Sequence, residues 1–225
     1  MMKKLIILLF TVFLSVGCGK KDSNNTQSVE KTRLAADQGN ALAQYELALM
    51  YVKGQGVPQD YAQAVKWFRL VADRKFAPAL FDLGLMYYNG QGVPRDYAQA
   101  VKWYSLAADQ GVAEAKYYIG LMYYNGQGVT QDYAQAVKWH RLAADQGFAE
   151  AQNNLGAMYY SGEGVPQDYV QAHMWFNLAA AQGKENGKKN RDLVAGKMSP
   201  QQIERAQELA RNWKRKIPVI DMRTK

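Results

Sequence analysis

Four kinds of residue in this 225-residue chain are candidates for chemistry. The first is the pair of histidines, His140 and His173, the only two present. His140 falls where Phe68, Tyr104 and Phe176 stand one or two periods away, so it reads as a packed or partly exposed ring rather than a metal ligand. The second is Ser28-Val-Glu-Lys31, which fits the Ser-x-x-Lys acylation pattern. Neither Lys-Thr-Gly nor Ser-Asp-Asn accompanies it, so it reads as coincidence. The third is the set Asp60, Asp96, Asp132 and Asp168. Carboxylates spread one per 36 residues suit helix starts, not an acid–base pair. The fourth is Gly-x-Gly-Val, which lacks the Lys-Ser/Thr ending of a phosphate loop. No catalytic residue, no metal site and no cofactor is expected.

What positions these residues is a repeat. Gly-x-Gly-Val occurs four times, beginning at Gly54, Gly90, Gly126 and Gly162. Each copy carries the same frame: a Met-Tyr pair before the loop, then Asp-Tyr, Ala, Trp and Ala. A fixed period of this size marks a solenoid, in which each unit buries its apolar face on its neighbours. Every unit holds two apolar-periodic stretches of about 13 residues. In the second unit, helix A runs from about Ala77 to Asn89 and helix B from about Pro94 to Asp109. Gly90 stops helix A, Pro94 fits the first turn of helix B, and Asp96 complements its dipole. Lys75 stands where Gly39, Gly111, Gly147 and Gly183 close helix B elsewhere. Either that turn differs or a strain of about 1 kcal/mol is accepted.

Gly84, Gly120 and Gly156 sit inside helix A, at a cost of about 1 kcal/mol each against Ala. The expected reason is close approach to a bulky neighbour, the Trp of helix B. Trp67, Trp103, Trp139 and Trp175 recur at one position and read as core.

The ends differ from the body. Lys3 and Lys4, the apolar run Leu5–Leu14 and the small residues before Cys18 have the layout of a secretory signal. The run is too short to span a bilayer. Leu14-Ser15-Val16-Gly17-Cys18 resembles a bacterial lipobox, with its Leu one position early. That resemblance implies lipidation of Cys18, removal of residues 1–17 and sorting to the outer membrane, facing the periplasm. Residues 18–27 read as a lipidated, flexible tether. Residues 19–183 carry 14 basic and 15 acidic side chains, whereas residues 184–225 carry 12 and 5. The overall charge of +8 therefore resides mostly in the tail, which reads as a solvated terminus or a patch for anionic partners. An exported chain with a near-neutral body is not expected to bind nucleic acid. Residues 184–198 read as a loop or partial helix, residues 200–214 as a capping helix over the last repeat, and residues 217–225 as frayed.

The frame Ala-x-Ala-x-x-x-Leu-Gly-x-Met-Tyr-x-x-Gly-x-Gly-Val-x-x-Asp-Tyr-x-x-Ala-x-x-Trp-x-x-x-Ala-Ala resembles the Sel-one-like repeat, a relative of the tetratricopeptide repeat. Four units cover residues 40–75, 76–111, 112–147 and 148–183, with a partial unit at 28–39. The resemblance implies an all-α, right-handed solenoid of helix–turn–helix units whose A helices line a concave face. It also implies a non-catalytic adaptor or scaffold, often secreted or envelope-attached, and a monomeric body. Cysteine-rich relatives are linked to penicillin binding; this chain lacks their cysteines.

Positions that vary between repeats are candidates to face outward. On helix A these include Phe81 and Tyr117, then Tyr88, Asn89, Tyr124, Asn125 and Tyr160 near the helix ends. Rings and amides at one-repeat spacing suit an extended peptide or a glycan such as peptidoglycan. The same rings also suit packing between neighbouring helices. The reading favoured here is an envelope scaffold that holds a protein or peptide partner on this face. A glycan-binding protein comes second, and an enzyme acting on β-lactams or peptidoglycan third.

Overall fold

The computed structural model describes residues 19–215. Cys18, the segment before it and residues 216–225 lie outside the described residues, so the lipobox and the last tail residues carry no structural account. The described residues form eleven helices and no strand. They fall into two compact units that divide between Val71 and Ala72. Both are built as an all-α solenoid of 36-residue helix pairs.

The first unit holds α1 (Gly19–Asp37), α2 (Ala41–Lys53) and α3 (Tyr61–Ala72, to within one residue). Residues 19–27, expected as a flexible tether, belong to α1. Their sequence lacks an apolar stripe, but a helix that is already nucleated extends cheaply, one bond per residue. The C-terminal part of α1 packs on α2: buried Gln44 donates its Nε2 to the Ala36 carbonyl at 2.9 Å. Arg33 donates to the Tyr51 hydroxyl at 2.5 Å.

The second unit holds α4 (Ala77–Asn89), α5 (Tyr97–Asp109), α6 (Ala113–Asn125), α7 (Tyr133–Asp145), α8 (Ala149–Ser161), α9 (Tyr169–Ala181), α10 (Glu185–Ala195) and α11 (Pro200–Asn212). Helices α4, α6 and α8 are A helices, and α5, α7 and α9 are B helices. Each packs on the next in chain order. The B helices start later than the Pro94 expectation. Asp96, Asp132 and Asp168 are extended N-caps that accept from the backbone N–H three residues on. The Asp96 N–H in turn donates to the Tyr87 carbonyl at 3.0 Å, which holds Pro94 in the loop. Lys75 does adopt the left-handed conformation, at φ +60°, so the strain is accepted there.

The glycines inside helix A do not face the tryptophans. A Cβ on Gly84 would lie 2.5 Å from the Tyr104 ring. On Gly120 it would meet His140 at 2.7 Å, and on Gly156 it would meet Phe176 at 2.7 Å. The residue after each Trp is therefore the ring that turns fully inward, and Tyr104, His140 and Phe176 are all buried. Trp67, Trp103 and Trp139 are only half-buried; Trp175 alone is fully buried. The expected tryptophan core thus gives way to a core of the adjacent rings. A position and its successor differ by about 100° around a helix, enough to move a side chain from core to margin.

Residues 184–198 contain a full helix. Glu185 stands one period after Ala149, and α10 occupies the place of a further A helix. Its Gly187 lies so close to α9 that a Cβ would come within 2.9 Å of the Ala179 side chain. Val194, fully buried, takes the slot of Met158. The Gly-x-Gly-Val loop is then missing. Ser199 caps α11 through a reciprocal capping box with Gln202, and α11 turns back onto α9. Trp213 meets the Trp175 ring edge-on at 6.5 Å, and Leu209 and Ala210 join the same apolar cluster.

Candidate interaction surface

The end of each A helix in the second unit meets the start of its B helix through a pair of tyrosine rings. Tyr88 and Tyr97 have centroids 5.3 Å apart, Tyr124 and Tyr133 5.1 Å, and Tyr160 and Tyr169 5.7 Å. The glycine loops hold these pairs in line. In the last two loops the second glycine lies against the B-helix start of the preceding repeat. A Cβ on Gly128 would come within 2.5 Å of the Tyr97 backbone, and one on Gly164 within 2.4 Å of that of Tyr133. No side chain fits there, which is the physical reason for the second glycine.

The residue between the glycines receives the tyrosine of the preceding repeat. The Tyr88 hydroxyl donates to Gln127 Oε1 at 3.4 Å, and the Tyr124 hydroxyl donates to Glu163 Oε2 at 3.0 Å. In the last repeat the next loop is absent, and Lys197 fills the place. Its ammonium lies 4.7 Å from the Tyr160 ring centroid and 5.8 Å from that of Tyr169. Tyr88, Tyr124 and Tyr160 are therefore half-buried and already engaged. Asn89 and Asn125, which follow them, are exposed. The most exposed ring of the set is Tyr133, at 37%. Tyr97, Tyr133 and Tyr169 recur unchanged, a pattern that by itself suggests a buried structural role. A recurring residue can still be a surface residue when every loop presents it.

Phe81 and Tyr117 are half-buried and engaged in ring packing. Phe81 packs at 5.7 Å from Tyr104 and 5.8 Å from Tyr118. Tyr117 packs against His140 at 5.5 Å and Phe148 at 5.2 Å. Both serve packing between successive helices: each meets the inward ring of the following B helix and a ring of the next A helix or its cap.

Burial sets most of the electrostatics. It pushes the Tyr104 hydroxyl well above the usual phenol range and raises that of Tyr117. It lowers the His140 imidazole to about 4, and His140 Nδ1 has no hydrogen-bond partner among the described residues. His140 is thus a neutral core ring. The hydrogen bond to Glu163 raises the Tyr124 hydroxyl, and the contact with Tyr160 raises the Lys197 ammonium. Among the described residues, no group of three or more His, Cys, Asp or Glu side chains is placed to hold a metal.

The glycine-bound helix pairs match the Sel1 repeat over residues 41–76, 77–112, 113–148 and 149–184. The chain belongs to the Sel1 repeat family. Sel1 repeat proteins in general mediate protein–protein interaction. Among solved structures the chain is similar to a protective antigen of uropathogenic Escherichia coli with an SLR fold. The identity is 37% and the TM-score 0.75, over 83% of this chain and 40% of the antigen. It is also similar to a Sel1 repeat protein from Oxalobacter formigenes, at 33% identity and a TM-score of 0.71, over 84% of this chain and 80% of the other. The chain spans less than half the length of the Escherichia coli antigen. No curated protein matches it.

Proposed function

We propose that this Sel1 repeat chain is a non-catalytic scaffold of the bacterial envelope, anchored through lipid on Cys18. It holds an extended segment of a partner protein along the line of tyrosine pairs in its second unit. The observation that carries this reading is the ladder itself. Three partly exposed ring pairs recur one repeat apart, and the exposed amides of Asn89 and Asn125 stand beside the first two. Flat rings supply contact area at low entropic cost, and amides bond an extended backbone.

A photo-cross-linking residue placed at Asn125, compared with one at exposed Lys138 on helix B, tests the site in living cells. A protein adduct at 125 and none at 138 is the expected result. Adducts at both positions alike, or at 138 alone, would sink the reading. Retention on isolated cell-wall sacculi without a protein adduct would move the function to glycan binding. The anchor has its own readout: Cys18→Ser should release the protein from the membrane fraction.

A further inference from the structure

The three tyrosine pairs of the second unit share a place in the repeat but not an occupant. At Tyr88 and Tyr97 the chain supplies its own cation, with Arg95 Cζ 5.5 Å from the Tyr97 ring centroid. At Tyr160 and Tyr169 it supplies Lys197. At Tyr124 and Tyr133 it supplies none among the described residues. The position of Arg95 is Gln131 there, one period on. Its amide is spent on the Tyr124 carbonyl at 2.8 Å and the Tyr133 hydroxyl at 3.2 Å. A carboxylate stands alongside instead: Glu163 accepts from the Tyr124 hydroxyl and from Ser161 Oγ, both at 3.0 Å and both through Oε2. Oε1 accepts no described hydrogen bond.

Ring faces attract a cation through their quadrupole, and a nearby carboxylate adds direct charge attraction. Lys197 shows that a tyrosine pair at the same place in the repeat, with centroids 5.7 Å apart, accepts an ammonium. The middle pair is the one that lacks a cation and has gained an anion. We propose that Tyr124, Tyr133 and Glu163 form a receptor for the ammonium of a lysine side chain in an extended segment of a partner protein. This rests on the scaffold reading and names the chemistry its partner must carry. The rings take the methylene stem and the charge, and Glu163 Oε1 accepts the hydrogen bond.

The test uses the purified full chain with labelled tyrosine rings, followed by NMR. The probe is an acetylated, amidated peptide of alternating Lys and Gly; its Gln–Gly counterpart is the control. The lysine peptide should shift the rings of Tyr124 and Tyr133, and the glutamine peptide should not. Tyr133→Leu combined with Glu163→Gln should weaken binding at least about fivefold, as the loss of a cation–π contact and a charge pair implies. Glu163→Gln alone, which keeps the shape, should weaken it by about twofold or more. Lys197→Met should bring Tyr160 and Tyr169 into the response, while Lys214→Met, which removes the same charge elsewhere, should not. Equal shifts with the glutamine peptide, or indifference to the double variant, overturns the receptor. So does a partner cross-linked at residue 125 whose capture is unchanged in the double variant; that result leaves the scaffold reading standing.

Discussion

Helices α7 and α9 have the same length, the same cap and the same frame, yet one faces solvent and the other is covered. In α7 the outer face carries Ala134, Lys138 and Leu142, all exposed, with Leu142 at 40%. One repeat on, the same positions hold Val170, Met174 and Leu178. Met174 is buried at 5%, and Leu178 is packed into the cluster that Leu209, Ala210 and Trp213 complete. Trp139 stays half-buried, whereas its counterpart Trp175 falls to 3%. The repeat frame thus fixes what points inward. Three outer positions decide whether a further helix docks. A lysine there keeps the face wet, because burying an unpaired ammonium costs far more than an apolar contact returns.

The largest effect should separate the two tryptophans. Trp175→Ala should cost about 3–5 kcal/mol by denaturant titration, and Trp139→Ala roughly 1–2 kcal/mol, in proportion to burial. If α11 is what buries Trp175, a chain ending at Met198 should bring the two costs together. Equal costs in the intact chain would show that α11 adds nothing.

Next comes the histidine at the centre of α7. Its folded pKa of about 4 lies below the ordinary 6.5, so the folded state favours the neutral ring. Stability is full above about pH 6.5 and falls as pH drops toward 4, because the unfolded chain takes up the proton first. The loss should approach roughly 3 kcal/mol, accumulating at about 1.4 kcal/mol for each pH unit crossed between the two values. Phe occupies the same slot in α9, so His140→Phe should abolish this part of the acid sensitivity. An identical pH profile for both forms would refute the buried neutral ring.

Exchanging the outer residue gives a smaller and asymmetric pair. Met174→Lys should cost about 2 kcal/mol and raise protease access to α11, since the stem can partly snorkel out. Lys138→Met should change stability by less than about 0.5 kcal/mol, as an exposed substitution does. Symmetric changes would mean that this position does not control docking.

Much of this was legible from periodicity. The glycines, the Asp caps and the recurring apolar positions specify helix pairs through local chemistry, and four copies make the pattern plain. The ring pairs were half legible. Tyr88 and Tyr124 sit beside exposed amides, but nothing in the spacing tells that their hydroxyls reach the next loop. That contact joins residues 39 apart across two repeats. Helix α10 was only partly legible, as a loop or partial helix, because its Lys- and Asn-rich sequence hides two buried residues, Gly187 and Val194, in the slots of Ala151 and Met158.

The sequence by itself determined the unit: its length, its caps, its turns and the family. These follow from backbone rules that act within a few residues. Tertiary structure decided which ring of the Trp-aromatic pair is core, which tyrosine pair lacks a cation, and where the final helix lies. Those outcomes depend on distances between residues tens of positions apart, and only stacking one repeat on the next sets them.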